Sequence, residues 1–171
     1  MLSLVAFAAA AVAAESPSLT ASAPWWDKIT MTIDGNGAER ACSYRTSLKP
    51  ASAESCADEE PATPAPKAKG PAGLITMLTF ERRFSPGARP EPGRLQPGDM
   101  LVGRQVIYLT IDGGGAVKGC KVIDVSGEVP DYGCKEAQTE KFEVSFDPAA
   151  VSSTRQAFMT ILVYGHTEQV A

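Results

Sequence analysis

Two windows of this chain carry the same pattern at a fixed spacing. Ile29 to Cys56 reads ITMTIDGNGAERACSYRTSLKPASAESC, and Ile107 to Cys134 reads IYLTIDGGGAVKGCKVIDVSGEVPDYGC. Each shared landmark recurs 78 positions later, as Ile29 does at Ile107. Thr32, Ile33, Asp34, Gly35, Gly37 and Ala38 return as Thr110, Ile111, Asp112, Gly113, Gly115 and Ala116, and Cys42 and Cys56 return as Cys120 and Cys134. Ungapped agreement over so many positions reads as an internal duplication. A duplication limits the fold severely, because each copy is too small to bury a comfortable core alone and must close against its twin.

Within each copy the glycines mark a turn. A phosphate cradle needs a helix directly after them, so that its first amides face the anion. Here AVKGCKVIDV follows, with β-branched Val122, Ile123 and Val125, and that composition favours a strand. Asp-Gly between two such runs predicts a tight hairpin with φ > 0 positions. A calcium loop over DGNGAERACSYR fails, because the third acidic ligand is missing and Arg45 stands where a bidentate Glu is needed. Each copy then continues through a short helix or loop to an apolar strand, LITMLTFERRF in the first and RQAFMTILVYG in the second. Pro61, Pro64 and Pro66 make a long helix implausible in the first. In the last strand, alternation puts Phe158, Thr160 and Leu162 on one face and Met159, Ile161 and Val163 on the other. Phe142 and Phe146 join these as core candidates.

Charge and composition exclude some partners. The net charge is -4 and the pI about 5.1, so no basic surface is expected to hold nucleic acid. One histidine, His166, leaves no cluster of the usual metal-binding kinds, and no metal or other cofactor is expected. No C-x-x-C and no G-x-S-x-G occurs, and the acidic run Asp58, Glu59, Glu60 reads as a solvated face. The chain is read as non-enzymatic, with no catalytic residues. The rival reading is a secreted enzyme or enzyme inhibitor on a disulfide-stapled frame. Trp25 and Trp26 are either a platform for a partner or half core, half surface. Arg82, Arg83 and Arg89 are either a small basic patch or linker solubility.

The beginning of the chain bears on compartment. Leu2 to Ala14 is apolar and uncharged, shorter than the roughly 20 residues that span a bilayer. It ends with Val12 and Ala14 in the small positions before a cleavage site, as a secretory signal peptide does. The expected location is periplasmic or secreted, the alternative being an inner-membrane anchor formed by an uncleaved leader. The expected segments are a signal peptide over 1–14, a polar lead-in over 15–24, a first unit over 25–84, a Pro/Gly-rich linker over 85–99 and a second unit over 100–171.

The second window, with its continuation KEAQ and the final strand AFMTILVYG, resembles the C-terminal domain of TonB-type proteins. The likeness covers roughly Val102 to Gly165 and returns in degraded form over Lys28 to Phe84. The family runs a strand into an Asp-Gly turn and a second strand. A Ser-Gly pair follows, here Ser126 and Gly127, then a helix entered near an Asp, here Asp131, and a last strand. One variant of the family places a Cys on the second strand and another on the helix, as Cys120 and Cys134 stand here. Of the Gln-Pro-x-Tyr-Pro stretch that often precedes the domain, Gln96 and Pro97 are present, followed by Gly98 and Asp99. The resemblance implies an α+β fold of two tandem ββαβ units, the second well formed and the first degenerate, packed as a pseudo-dimer with the last strands close together. It also implies a protein partner in the cell envelope, an outer-membrane receptor or a component of the TonB system, with Trp25, Trp26, Gln96 and Pro97 as candidate contacts.

Four cysteines allow three pairings. The duplication selects Cys42 with Cys56 and Cys120 with Cys134, so that each unit closes its own staple. A loop of about 15 residues contributes roughly 3 kcal/mol on the chain-entropy account. Peptide mapping of the unreduced protein is expected to recover these two cross-linked pairs; a Cys42–Cys120 link would refute both the pairing and the duplication behind it.

Overall fold

The computed structural model describes residues 18–33, 39–48, 54–55, 77–91, 95–143 and 154–166. They form a mostly β structure with one short helix. In chain order the elements are β1 (Leu19–Thr20), β2 (Trp25–Ile33), β3 (Glu39–Thr46), β4 (Glu54–Ser55), β5 (Met77–Pro86), β6 (Asp99–Ile111), β7 (Val117–Gly127), α1 (Cys134–Ala137), β8 (Phe142–Glu143) and β9 (Arg155–His166). Seven of them make one antiparallel sheet in the order β4-β3-β2-β5-β9-β6-β7.

The ladders repeat along with the sequence. Met31 lies opposite Cys42 and Leu109 opposite Cys120. Both hairpins slip register at the same place, between Thr32 and Ile33 and between Thr110 and Ile111. Ile29 faces Phe80 on β5, and Ile107 faces Met159 on β9. The closing strands β5 and β9 then pair with each other from Met77↔His166 to Pro86↔Ala157. On this correspondence Arg82 and Ile161 are equivalent, and they are direct partners. The sheet therefore has a local twofold relation about that pair, as two copies of one edge acquire when they meet antiparallel.

One face of the sheet, here the inner face, carries both hydrophobic clusters. The first joins Ile107, Leu109, Ile111, Ala157, Met159 and Ile161 to Phe84 of β5. The second joins Met31, Leu78, Phe80 and Ile33 to Val163 of β9. Phe84 and Val163 are equivalent positions, so each cluster is completed by the other half's closing strand. The alternation expected along β9 holds: Met159, Ile161 and Val163 lie in these clusters, while Phe158, Thr160 and Leu162 face the other way. Phe142 is buried too; Phe146 lies outside the described residues.

The reading of the lead-in changes, and the short helix is found. Residues 18–24 are more than a polar lead-in. β1 pairs in parallel with β8 through Leu19↔Phe142, and Ala21 is buried in the first cluster. The helix is a single turn: Glu136 accepts the Gly133 N–H at 2.9 Å, which holds its carboxyl below the usual range, and the chain turns away at Thr139. One turn does not repay nucleation by itself. Here it is held by the Cys120–Cys134 disulfide to β7 and by burial of Ala137.

The second hairpin turn is an Asx turn. Asp112 accepts from the Gly114 and Ala116 amides at 2.9 Å each, chiefly the latter, and these bonds lower its pKa. The left-handed residue is Gly115, at φ 84°, rather than the Asp-Gly pair, and a Cβ there would meet the Phe142 carbonyl oxygen at 1.8 Å. The first hairpin's turn lies outside the described residues.

β5 and β6 flank β9 and run parallel to each other, so the chain between Pro86 and Asp99 must return along roughly 30 Å of sheet. The described parts of this return begin where the Gly87 N–H donates to the Gln156 carbonyl and end in a Gln96–Asp99 turn, with Leu95 and Gln96 beside Trp26 on the outer face. The segment expected as a linker from 85 to 99 is thus shorter, since β5 runs to Pro86 and β6 starts at Asp99.

Expressed alone, Met100 to Ala171 would bare the β5-facing edge of β9 and lose Phe84 from its core. The fragment is expected to dimerise or aggregate in sedimentation; a monomer melting like the full chain would refute the shared core.

Candidate functional site

The centre of the inner face is polar. Alternation puts Arg82 on the same face as Phe80 and Phe84, beside Asp27 on β2. Its guanidinium donates to both Asp27 carboxylate oxygens, at 3.0 and 2.5 Å, and to Glu140 at 2.6 Å. The Tyr132 hydroxyl donates to the same Glu140 oxygen at 2.7 Å. The Trp25 and Tyr132 rings lie 5.6 and 5.3 Å from the guanidinium carbon. Burial disfavours the Arg82 cation, yet the Asp27 hydrogen bonds and the charges of Asp27 and Glu140 carry its pKa well above the ordinary value. Burial, then the Glu140 charge, pushes the Tyr132 phenol up. At the equivalent places the second half has Gln105, which donates to the Tyr132 carbonyl, and Ile161.

The outer face holds a shallow groove of about 200 Å³ under the crossing segment, lined by Trp26, Lys28, Glu81, Arg83, Leu95, Gln96, Asp99, Leu162 and Tyr164. Its buried carboxylate, Glu81, accepts from Arg83 at 2.6 Å and from the Tyr164 hydroxyl at 3.1 Å. Burial first, and then Glu81, raises the Tyr164 pKa. Asp99 accepts from the Gln96 amide and pairs with His166 at 2.8 Å. Glu81 and Arg83 thus pair with each other, and Trp26, Lys28 and Gln96 share the lining with them. Among the described residues no group of three or more His, Cys, Asp or Glu is placed to hold a metal ion.

Of the partner contacts expected from sequence, Trp26 and Gln96 meet in this groove, and Pro97 is exposed in the adjoining turn. Trp25 does not join them. It is buried, stacked on Phe84 at 5.4 Å, with its indole N–H donating to the Thr20 carbonyl. Neighbours in a strand point to opposite faces, so one Trp of the pair had to turn inward. Cys120 and Cys134 are joined; Cys42 is disulfide-bonded, and Cys56 lies outside the described residues. Of the three arginines, Arg82 and Arg83 stand within β5 rather than in a linker, and Arg83 pairs with Glu81; Arg89, exposed in the crossing, pairs with Asp124. Arg82 was open to discovery in the sequence, because a charge flanked at i±2 by phenylalanine must share their buried face.

The third feature is the outer edge of β7. Val122, Ile123 and Val125 are 40%, 42% and 57% exposed, and among the described residues no strand pairs beyond them. Comparison with family models, curated proteins and solved structures finds no match to this chain.

Replacing Arg82 with Met leaves Asp27 buried without its cation. A loss of about 2 to 4 kcal/mol is expected in urea denaturation, part of it recovered by Asp27→Asn in the same chain. A loss below about 0.5 kcal/mol would show the cluster to be incidental.

Proposed function

We propose that this chain is an exported, non-catalytic binding protein of the cell envelope, built from two tandem units that resemble the TonB C-terminal domain and packed as a pseudo-dimer within one polypeptide. What carries this reading is the pairing of β5 with β9 about Arg82 and Ile161. It uses up the closing strand of each unit and leaves the sheet's outer edges for contact with a partner. The matched register slips of the two hairpins support a common origin for the units. The leader over 1–14 and the paired cysteines support export to an oxidising compartment. Recognition is assigned to sheet surface: an edge that a partner strand extends, with main-chain hydrogen bonds supplying affinity, assisted by Trp26 and Gln96 on the outer face.

The reading is tested in cells that export the protein. Mass analysis is expected to find a mature chain beginning at Glu15, and cross-linking in the periplasm to trap a defined envelope protein, an outer-membrane receptor or a TonB-system component. A retained leader would make the protein an anchored one. A turnover assay that finds hydrolysis or inhibition, with no envelope protein trapped, would replace binding by the enzyme or inhibitor reading.

A further inference from the structure

The two halves treat their outer edges differently. In the first, the chain fills the edge itself: β4 lies outside β3, with Ser55 opposite Ser43 and Glu54 opposite Tyr44. The equivalents of Ser43 and Tyr44 are Lys121 and Val122 on β7. The equivalents of Glu54 and Ser55 are Tyr132 and Gly133, which leave the edge. Tyr132 reaches over the sheet to Glu140 and Arg82, and Gly133 caps α1. The segment that would cover the second edge is thus drawn to the centre of the inner face.

What it leaves is an unusual edge. Exposed strand edges are normally blunted with charge, and β7 has a register slip near Ile123 that serves this end. Yet it also shows water three β-branched apolar side chains in a run of four residues. Register puts Val122 and Val125 on the inner face, opposite Ile107 and Gln105, and Lys121 on the outer face, opposite Tyr108. The strand's acidic residue, Asp124, is already held by Arg89 and Arg104, which lower its pKa. Among the described residues Lys121 has no ion pair. The charge offered to an incoming strand is positive, although the whole chain is acidic.

We infer that the β7 edge between Lys121 and Val125 docks an extended segment of a partner protein whose side chains alternate, apolar toward Val122 and Val125 and carboxylate toward Lys121. This rests on the binding reading above and names its edge and its partner chemistry. Opposite charges across neighbouring strands favour the acidic segment. A second copy of the same edge would bring like charge and a second bulge. The first half's β4 shows the geometry on this fold: an antiparallel strand at the equivalent position.

The probe is a peptide of about eight residues alternating Val and Glu, with a Val and Lys peptide as control. Added to the full-length protein, the acidic peptide is expected to shift and protect the Lys121–Val125 amides in NMR and hydrogen exchange, and to bind about fivefold more tightly than the basic one. Lys121→Glu is expected to reverse that preference. Val122→Lys with Val125→Lys changes exposed side chains only and is expected to abolish binding, with the far-UV spectrum unchanged. Equal affinity for both peptides, or shifts confined to other strands, would overturn the inference. So would self-association through β7 that neither peptide displaces, which assigns the edge to a second copy. If the double-Lys protein still traps its envelope protein in cells, the binding reading stands and the β7 assignment fails. If the wild-type protein traps none, the binding reading fails.

Discussion

The antiparallel pairing of β5 with β9 is the contact on which the rest of the structure depends. Each strand closes its half, and each would be an exposed edge if the half stood alone. Joined, they turn a four-stranded and a three-stranded piece into one sheet, and each lends a large side chain to the other's cluster, Phe84 one way and Val163 the other. Neither cluster is complete without the opposite closing strand. Sheet continuity and core are therefore the same event, and the edges left over are the outer ones.

The symmetry is broken at its own centre. Arg82 and Ile161 face each other across the pair, one charged and one apolar. Ile161 packs into the first cluster, while Arg82 needs anions and finds Asp27 on its own half and Glu140 on the other. That demand ties the segment carrying Tyr132 and Glu140 over the middle of the inner face. The same tie keeps this segment off the β7 edge, where its counterpart in the first half sits. One charge at the axis thus links the interior electrostatics to the exposure of Val122, Ile123 and Val125.

The crossing from β5 to β6 shapes the outer face. Two strands running parallel on either side of β9 force the chain to travel the length of the sheet, and its path lays Leu95 and Gln96 beside Trp26. Glu81, Arg83 and Tyr164 neutralise one another beneath it, so burial of these polar groups leaves none unpaired. Proximity of Trp26 and Gln96, far apart in the chain, follows from this path.

The sequence by itself determined the pieces. Period-two alternation in RQAFMTILVYG separated Met159, Ile161 and Val163 from Phe158, Thr160 and Leu162. The repeat at fixed spacing marked Cys120 and Cys134 as a pair, and Asp112 with its glycines marked a turn. These are local signals, because strand alternation and turn chemistry act over a few residues. Tertiary structure decided the rest. It chose which Trp of an adjacent pair is buried, moved the left-handed position to Gly115 where the Phe142 carbonyl crowds it, and made structure of Leu19 and Ala21. It also turned Arg82 from an apparent solubilising charge into a half-buried tie. Each of these depends on what lies across the sheet from a residue. That is set by register between distant strands, which no local pattern encodes.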